Sequence, residues 1–313
     1  HHERWPYSWM TDADYEVSRG IVKGRLKLMD GSSSAGALVV LAKPESEAGV
    51  HWQEQGKDEV FWARADHAGR FLIENVKRGR YTLYASVDGV IGEYRLDGVT
   101  SPPETVTELG ELEWRPKSYG HTAWQIGIPD RDSTEFRGGD DFRHWGGFTR
   151  ERFVRDFPEG VDFDVGSDDW RRDWNYAHMH ANEKLDTWKI RFRLDELPEG
   201  TAHLRFAIAG SRYAGLAVRL AGRRLGQVDL SRGRRYAGQG YPRSGSRGYA
   251  HEVVMPFDCA LLQAGENVLE LKLTPIPGRK DPYRCIHYDC IRLEWPGEDT
   301  ITSLPSGREL LAK

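Results

Sequence analysis

The residues best suited to chemistry lie together at 168–180, which reads DDWRRDWNYAHMH. The stretch combines aromatic rings, carboxylates, guanidinium groups and two histidines. Such a mixture is typical of a polysaccharide site, because rings stack on apolar sugar faces, Asn and Asp bind hydroxyl groups, and Arg pairs with a uronate carboxylate. The candidate carbohydrate-binding residues here are Trp170, Arg171, Trp174, Asn175 and Tyr176. The alternative is that Trp174 and Tyr176 alternate into a core while the charged residues occupy a loop.

Two further uses of this stretch follow from its residue types. Clustered carboxylate oxygens suit a structural Ca²⁺, for which Asp168, Asp169 and Asp173 are the candidate ligands. We expect no other cofactor. His178 and His180 fall on one face of a strand, but a zinc site would require a third ligand that the sequence does not specify.

Cleavage of a polyuronate by β-elimination needs a base near the C5 proton and a cation at the carboxylate. His178, His180 and Tyr249 are the candidate catalytic residues, on composition alone. A serine hydrolase is disfavoured, because the sequence has no Gly-x-Ser-x-Gly motif.

A second candidate region, 231–249, carries five Arg and three Tyr and no acidic residue. It could bind a polyanion, and Arg243, Arg247 and Tyr249 are its candidate carbohydrate-binding residues. RNA could use the same groups through phosphate contacts and stacking, whereas a solvated loop would use none of them. One short basic loop in an acidic chain favours a partner other than nucleic acid.

Composition excludes several classes of protein. The 313 residues have 44 basic and 48 acidic side chains, a net charge of -4 and a mean hydropathy of -0.64. This balance argues against a chain that coats nucleic acid. No apolar run reaches the roughly 18 residues needed to cross a bilayer, so we expect no membrane partner. The three cysteines, Cys259, Cys285 and Cys290, are too few for a disulfide framework, which leaves buried thiols or one bond from Cys259.

The elements that must position these residues are strands. Between residues 20 and 114, short alternating runs are separated by turn residues about every ten positions, which predicts a two-sheet sandwich. Pro and Gly near residue 116 mark a boundary. Beyond it, longer runs with Arg and Lys on the outward face predict antiparallel sheets in a jelly roll, so the predicted fold class is all-β.

Within the first sandwich, residues 66–83 resemble a transthyretin-like or carboxypeptidase-regulatory-like sandwich. The chain as a whole resembles rhamnogalacturonan lyases of polysaccharide lyase family 4. The motifs that carry this resemblance occur in the family's order: WPYSW at 5–9, RGxVxGR at 19–25, GELEWRP at 110–116, WQIGIPDR at 124–131, EFRxGD at 135–140, DWNYA at 173–177 and YDxIRLE at 288–294.

The resemblance implies four segments: a lead-in at 1–18, a fibronectin III- or transthyretin-like sandwich at 19–115, a carbohydrate-binding-module-like jelly roll at 116–296 and a tail at 297–313. It covers the family's second and third domains. The Lys and His that act on the uronate lie in the family's N-terminal domain, so no catalytic residue can be carried over. Whether this chain is itself an enzyme is left open.

The expected function is therefore that of a pectin-binding C-terminal part of a lyase, non-catalytic on its own. The alternatives are a self-sufficient lyase acting on an acidic glycan, or a structural support for a separate catalytic chain. The expected partners are an acidic plant polysaccharide and a catalytic domain or chain absent from this sequence. The expected location is secreted or periplasmic, with any signal peptide already removed.

Overall fold

The computed structural model describes residues 7, 9–12, 15, 18–56, 59–141, 146–230, 249–278 and 281–297. The chain divides into two compact units, His1–Lys117 and Ser118–Lys313. Strands dominate the described part of both units and its helices are short, so the prediction of an all-β fold is confirmed. No described helix has the length and apolar character needed to cross a membrane.

The first unit is built from two sheets. Its strands are β1 (Gly20–Leu28), β2 (Leu38–Ala42), β3 (Phe61–Arg64), β4 (Arg70–Val76), β5 (Gly79–Ser86), β6 (Tyr94–Ser101) and β7 (Val106–Trp114). The sheet orders are β4-β1-β7 and β3-β2-β5-β6. Between β2 and β3 lie a helix, α1 (Glu45–Ala48), and a 3₁₀ turn, Trp52–Glu54.

The inward residues of the two sheets form the core of the first unit. Strand β4 shows the alternation well, because Phe71 and Ile73 are buried while Leu72 between them is exposed. Across the core, the rings of Phe61 and Tyr81 meet edge to face. Gly24 allows the close approach of Phe71, since a Cβ at this position would lie 2.9 Å from the Phe71 ring.

The second unit is a larger sandwich. Its strands are β8 (His121–Gly127), β9 (Asp162–Asp164), β10 (His178–Met179), β11 (Thr187–Leu194), β12 (Thr201–Arg212), β13 (Ala214–Leu220), β14 (Arg223–Asp229), β15 (His251–Asp258), β16 (Gly265–Pro275) and β17 (Cys285–Trp295). Two short helices join them, α2 (Gly146–Asp156) and α3 (Trp170–Asp173). One sheet has the order β14-β13-β16-β11-β9, and the other has β10-β17-β12-β15 with β8 also paired to β17.

Aromatic rings fill the space between these two sheets. Trp174 and Trp188 meet edge to face with ring centroids 5.1 Å apart, and Tyr288 contacts both rings. The three cysteines are buried and unbonded, in agreement with the interpretation of structural thiols. Burial raises the pKa of Cys285 to about 12, so this thiol is protonated and unreactive at neutral pH.

A buried ion network lies on the other side of the β12–β17 pair. Arg205 is only 1% exposed and bonds to Glu252 at 2.7 Å and to Glu294 at 3.2 Å. The Tyr119 ring stacks on His203 with centroids 3.7 Å apart, and its backbone N–H donates to Glu294. The segment entering β8 therefore covers charges that β12 and β17 would otherwise expose to water.

Strand pairing brings distant parts of the chain to one end of the second unit. Arg212, the last residue of β12, pairs with Cys285, the first residue of β17, and Cys285 also pairs with Met179. Strand β11 begins directly after Asp186. Three parts of the chain that are remote in sequence, residues 178–187, the end of β12 and the start of β17, therefore meet at this end of the sandwich.

Candidate functional site

The stretch 168–180 runs from the surface into the core. Its middle residues, 174–179, are all buried, and Trp174 has no exposed surface. Trp174 and Tyr176 therefore cannot stack on a sugar, and their prediction as binding residues is wrong for a physical reason: both rings pack inside the unit. Asn175 is also buried, and its Nδ2 donates to the backbone oxygen of Ala177 at 2.7 Å, so it is no hydroxyl-binding group either.

The residues before this buried run remain near the surface on α3. Arg171 is exposed, and Trp170 is partly buried against the core. The three predicted calcium ligands have other partners: Asp168 accepts from the backbone N–H of Asp164, Asp169 caps α3, and Asp173 pairs with Arg172. The hydrogen bond from Arg172 lowers the pKa of Asp173. A shared ion at these three carboxylates stays a prediction.

A different set of carboxylates comes together after β8. One oxygen from each of Asp130, Asp132 and Glu135 lies within 4.8 Å of the others, which makes this the acidic cluster with metal-ligand spacing in the described residues. Buried Asp289 lies beneath the loop and accepts from the backbone N–H groups of Asp130 and Arg131. Burial, followed by the neighbouring carboxylates, raises the pKa of Glu135 to about 9. Hard oxygen ligands of this kind suit Ca²⁺. The D-x-D-x-x-E spacing at 130–135 is the sequence signal that could have identified this cluster.

His178 is a core residue with both ring nitrogens occupied. Its Nε2 lies 3.0 Å from the backbone oxygen of Asp186, which can only accept, so Nε2 donates. Nδ1 therefore accepts from the Tyr288 hydroxyl at 3.1 Å. The ring stacks on Trp188, and burial lowers the pKa of His178 to about 3. The prediction of a catalytic role for His178 is wrong, because the ring is neutral, fully bonded and out of reach of a substrate.

His180, two residues further on, reaches the surface with 19% of its side chain exposed. Its Nδ1 lies 2.8 Å from Oδ1 of Asp186, and Nη2 of Arg284 lies 2.9 Å from the other oxygen of the same carboxylate. The backbone N–H of His180 also donates to the backbone oxygen of Arg284. Buried Asp186 thus holds an imidazole and a guanidinium side by side.

A second ion pair lies at the same strand ends. Nη2 of Arg212 is 3.1 Å from Oδ2 of Asp281, whose other oxygen accepts from the backbone N–H of Tyr283. The Tyr283 side chain is 51% exposed. We refer to this group as the strand-end site, which comprises His180, Asp186, Arg212, Asp281, Tyr283 and Arg284.

The strand-end site can make directed hydrogen bonds to a polar ligand. A guanidinium has five N–H donors in a fixed planar arrangement, so it can bond to more than one partner. The two Arg charges are balanced by two carboxylates, so the site offers fixed donors and acceptors rather than a strong positive field. Tyr283 adds an aromatic face at the rim.

Of the six residues, sequence reasoning identified His180 alone. Asp186, Arg212 and Arg284 each stand at or next to the end of a strand, a weak signal that many surface residues share. Only the pairing of β10, β12 and β17 brings them together.

Two predicted residues of the basic region, Arg243 and Arg247, lie outside the described residues. Tyr249 is described and lies just before β15. Its backbone oxygen is 3.1 Å from Nδ1 of His251, a neighbour whose pKa burial lowers to about 4. The catalytic and binding roles of Tyr249 stay predictions.

Comparison with protein families gives two matches. Residues 122–293 match a carbohydrate-binding-module-like model described as polysaccharide lyase family 4, domain III. Residues 34–107 match a fibronectin type III-like model described as domain II of the same family. These matches confirm the predicted order of a fibronectin-like sandwich followed by a carbohydrate-binding-module-like sandwich.

Curated relatives agree with this result. The chain is 28% identical to a probable rhamnogalacturonate lyase B of Aspergillus flavus, an alignment that covers 88% of this chain and 48% of that protein. It is 31% identical to a rhamnogalacturonate lyase of Dickeya dadantii, over 87% of this chain and 45% of that protein. The chain thus spans about half the length of these relatives.

Among solved structures, a family 35 carbohydrate binding module from an environmental isolate aligns at 16% identity with a TM-score of 0.22, over 34% of this chain and 63% of that one. A similarity this low carries no argument. The family matches do, since the domain III model alone covers more than half of the sequence. The chain belongs to polysaccharide lyase family 4, of which it contains domains II and III.

Proposed function

We propose that the chain is the polysaccharide-binding C-terminal part of a rhamnogalacturonan lyase and has no lyase activity of its own. The observation that carries this proposal is the strand-end site, where one buried carboxylate, Asp186, orients His180 and Arg284 at a partly exposed surface. The family membership supports a polysaccharide as the ligand class. The two matched domains support a role beside the catalytic part of such a protein.

The geometry suits an acidic sugar in particular. Arg212 and Arg284 lie at neighbouring strand ends, so one uronate carboxylate could receive N–H donors from either guanidinium. Hydroxyl groups of the same sugar could donate to Asp281 and Asp186. The half-exposed ring of Tyr283 provides a surface on which the apolar face of a pyranose stacks.

Calorimetric titration of the whole chain with rhamnogalacturonan oligosaccharides tests this proposal. We expect Arg284→Ala and Tyr283→Ala each to weaken binding roughly tenfold, the equivalent of one lost charge-assisted bond or stacking contact. Arg171→Ala is the matched control, because Arg171 is exposed on α3 outside the strand-end site. We expect Tyr283→Ala to leave the fold intact, because about half of that side chain is exposed to solvent.

Unchanged affinity in both site variants would contradict the proposal. If Arg171→Ala lost binding instead, the glycan site would lie around α3, where the sequence predicted it. A melting curve for each variant separates a lost contact from a lost fold.

A second candidate function is β-elimination by the chain itself. One observation favours it: His180 lies beside the guanidinium of Arg284, the combination of base and cation that this chemistry requires. The test is ultraviolet absorbance of the unsaturated uronate product during incubation with rhamnogalacturonan. A flat trace supports the binding role, whereas product formation that His180→Ala abolishes would establish a minimal lyase.

Three further expectations belong to the same proposal. The protein would be secreted or periplasmic, because it would encounter polymeric pectin outside the cytoplasm. Its natural partner besides the glycan would be a catalytic domain or chain. A purely structural role remains the third alternative, and it predicts no glycan binding in the titration above.

A further inference from the structure

A second surface with the character of a ligand site lies on the first unit, on the outer face of the four-stranded sheet. Strand pairing places Trp62, Val40, Tyr84 and Arg95 in one row across β3, β2, β5 and β6. Trp62 is 63% exposed, although Val40 and Tyr84 beside it are buried. An outer sheet face is normally polar, so an apolar row that ends in a bare indole is unusual.

The segment between β2 and β3 covers one half of this row and leaves the Trp62 half open. It brings the rings of His51 and Trp52 to Tyr84, at centroid distances of 5.5 and 6.0 Å. Gln55 fixes the segment, because its side chain accepts from the backbone N–H of Lys43 and donates to the backbone oxygens of Lys43 and Val50. The cover is therefore a built feature of the fold.

Polar groups converge where the cover meets the sheet. Nε2 of His51 lies 3.8 Å from Glu45 and 3.6 Å from Glu93, and both carboxylates are partly exposed. The indole N–H of Trp52 donates to Glu93 at 3.0 Å and orients it.

The Tyr84 hydroxyl is buried at the same place and has no hydrogen-bond partner among the described residues. Burial raises the pKa of Tyr84 to about 12, so the group keeps its proton and remains a donor. A buried hydroxyl without a partner is unfavourable, and a ligand group that accepted from it would relieve this cost.

The chemistry of this face selects one class of ligand. An exposed indole stacks on the C–H face of a pyranose ring, and carboxylates accept hydrogen bonds from sugar hydroxyls. Glu45 and Glu93 would repel a polyuronate, while Arg95, whose guanidinium lies over the Tyr84 ring, already pairs with Asp97 at 3.0 Å. Trp62 and Tyr84 are two strands apart, about 10 Å, a span that suits two or more linked rings rather than one.

We propose that the outer face of this sheet is a second glycan site, which binds a neutral oligosaccharide with Trp62 as the stacking platform and with Tyr84, His51 and Glu93 as the hydrogen-bonding end. The two units would then recognise different glycan chemistry, an acidic chain at the strand-end site and a neutral chain here. This second proposal does not depend on the first.

The test is a calorimetric titration of the whole chain with neutral probes (cellotetraose, galactotetraose and xylotetraose) and with tetragalacturonate as the charged probe. We expect one neutral probe to bind and Trp62→Ala to weaken that binding roughly tenfold. Trp9→Ala is the matched control, because Trp9 is an equally exposed indole of the same unit. Arg284→Ala should leave neutral binding unchanged, which separates this site from the strand-end site.

Tyr84→Phe gives a readout that a structural role would not move. Removal of an unpartnered buried hydroxyl should leave the melting temperature unchanged or raised, yet it should weaken binding of the neutral probe. The proposal is overturned by three results: no neutral probe binds, Trp62→Ala binds as tightly as the unsubstituted chain, or Trp62 instead supports association between copies of this chain.

Discussion

His178 lies on β10 and His180 follows directly after that strand, and the protein uses the two side chains differently. The first ring is enclosed between Trp188, Tyr288 and the backbone oxygen of Asp186, whereas the second leaves the sheet and meets Asp186 and Arg284 near solvent. Alternation predicts that both side chains share a face. It does not predict where that face passes from core to surface.

The first residue-scale prediction concerns this pair. We expect His178→Ala to lower the free energy of unfolding of the second unit by about 2–4 kcal/mol, because it removes a packed ring and leaves two buried polar partners unsatisfied. His180→Ala should lower the free energy of unfolding much less, since that side chain is partly exposed to water. Urea denaturation followed by tryptophan fluorescence measures both. Equal losses would contradict the assignment of His178 to the core.

The second residue-scale prediction concerns calcium. Millimolar Ca²⁺ should raise the melting temperature relative to EGTA, because an ion at Asp130, Asp132 and Glu135 would relieve repulsion among carboxylates and bind only the folded state. Glu135→Gln should reduce this shift, and Asp168→Asn should not. The reverse pattern would place the ion at Asp168, Asp169 and Asp173, as the sequence predicted. A melting temperature that does not respond to Ca²⁺ would argue against both sites.

At the scale of elements, the β12–β17 pair carries a charge network that its position makes costly to disturb. Arg205 is buried between Glu252 and Glu294, and the segment before β8 closes over it through Tyr119. A buried ion pair contributes little net stability, but the loss of one partner leaves a charge without compensation. The network therefore fixes the entry segment of the second unit more than it strengthens the sheet.

The prediction at this scale is a contrast between two ion pairs. Glu294→Gln should destabilise the second unit by about 3 kcal/mol, because Arg205 stays buried with less compensation. Glu108→Gln in the first unit should cost less than about 0.5 kcal/mol, since its pair with Lys23 is exposed to water. Chemical denaturation compares them directly. Similar effects for both substitutions would show that Arg205 is better solvated than its burial indicates.

At the scale of the whole molecule, buried histidines make the second unit sensitive to acid. Burial lowers the pKa of His178 to about 3 and those of His251 and His287 to about 4. Below the unfolded value of about 6.5, the unfolded chain takes up protons that the folded chain cannot. The contribution of these three histidines is therefore present in full above pH 6.5 and is lost as the pH drops toward 4. The buried carboxyl groups of Glu135 and Asp289, whose pKa values are raised, contribute a pH dependence of the opposite sign.

The corresponding prediction concerns how steeply the free energy of unfolding changes with pH. Each of these histidines should reduce the free energy of unfolding by about 1.4 kcal/mol per pH unit in the lower part of that window. Denaturation at a series of pH values between 7.5 and 4.5 measures the net slope, which combines the histidine contributions with the opposing ones of Glu135 and Asp289. The comparison between variants isolates one histidine. His287→Leu removes one titrating group, whose Nδ1 has no hydrogen-bond partner within the described part of the chain, so the stability of this variant should fall less steeply with decreasing pH. An unchanged slope would contradict the assignment of His287 as neutral in the folded state.

The sequence by itself determined the class of fold. A period of two in hydrophobicity is a local property, and it predicted strands such as β5 and β11 because each residue's direction depends only on its neighbours. The ordered motifs of the lyase family likewise identified both sandwiches, since they are read along the chain. Neither inference requires knowledge of the tertiary contacts.

Tertiary structure alone decided the sites. Residues 174–179 are buried in succession because both faces of that segment are covered. Alternation offered the core as one possibility for Trp174 and Tyr176, but it could not decide between the core and a sugar-binding surface. Asp186 and Arg284 are 98 positions apart and meet through strand pairing. The row from Trp62 to Tyr84 depends on the register of three strands. Contacts between distant segments are a property of the folded chain, which is why the sequence predicted the sheets but not the groups gathered at their ends and faces.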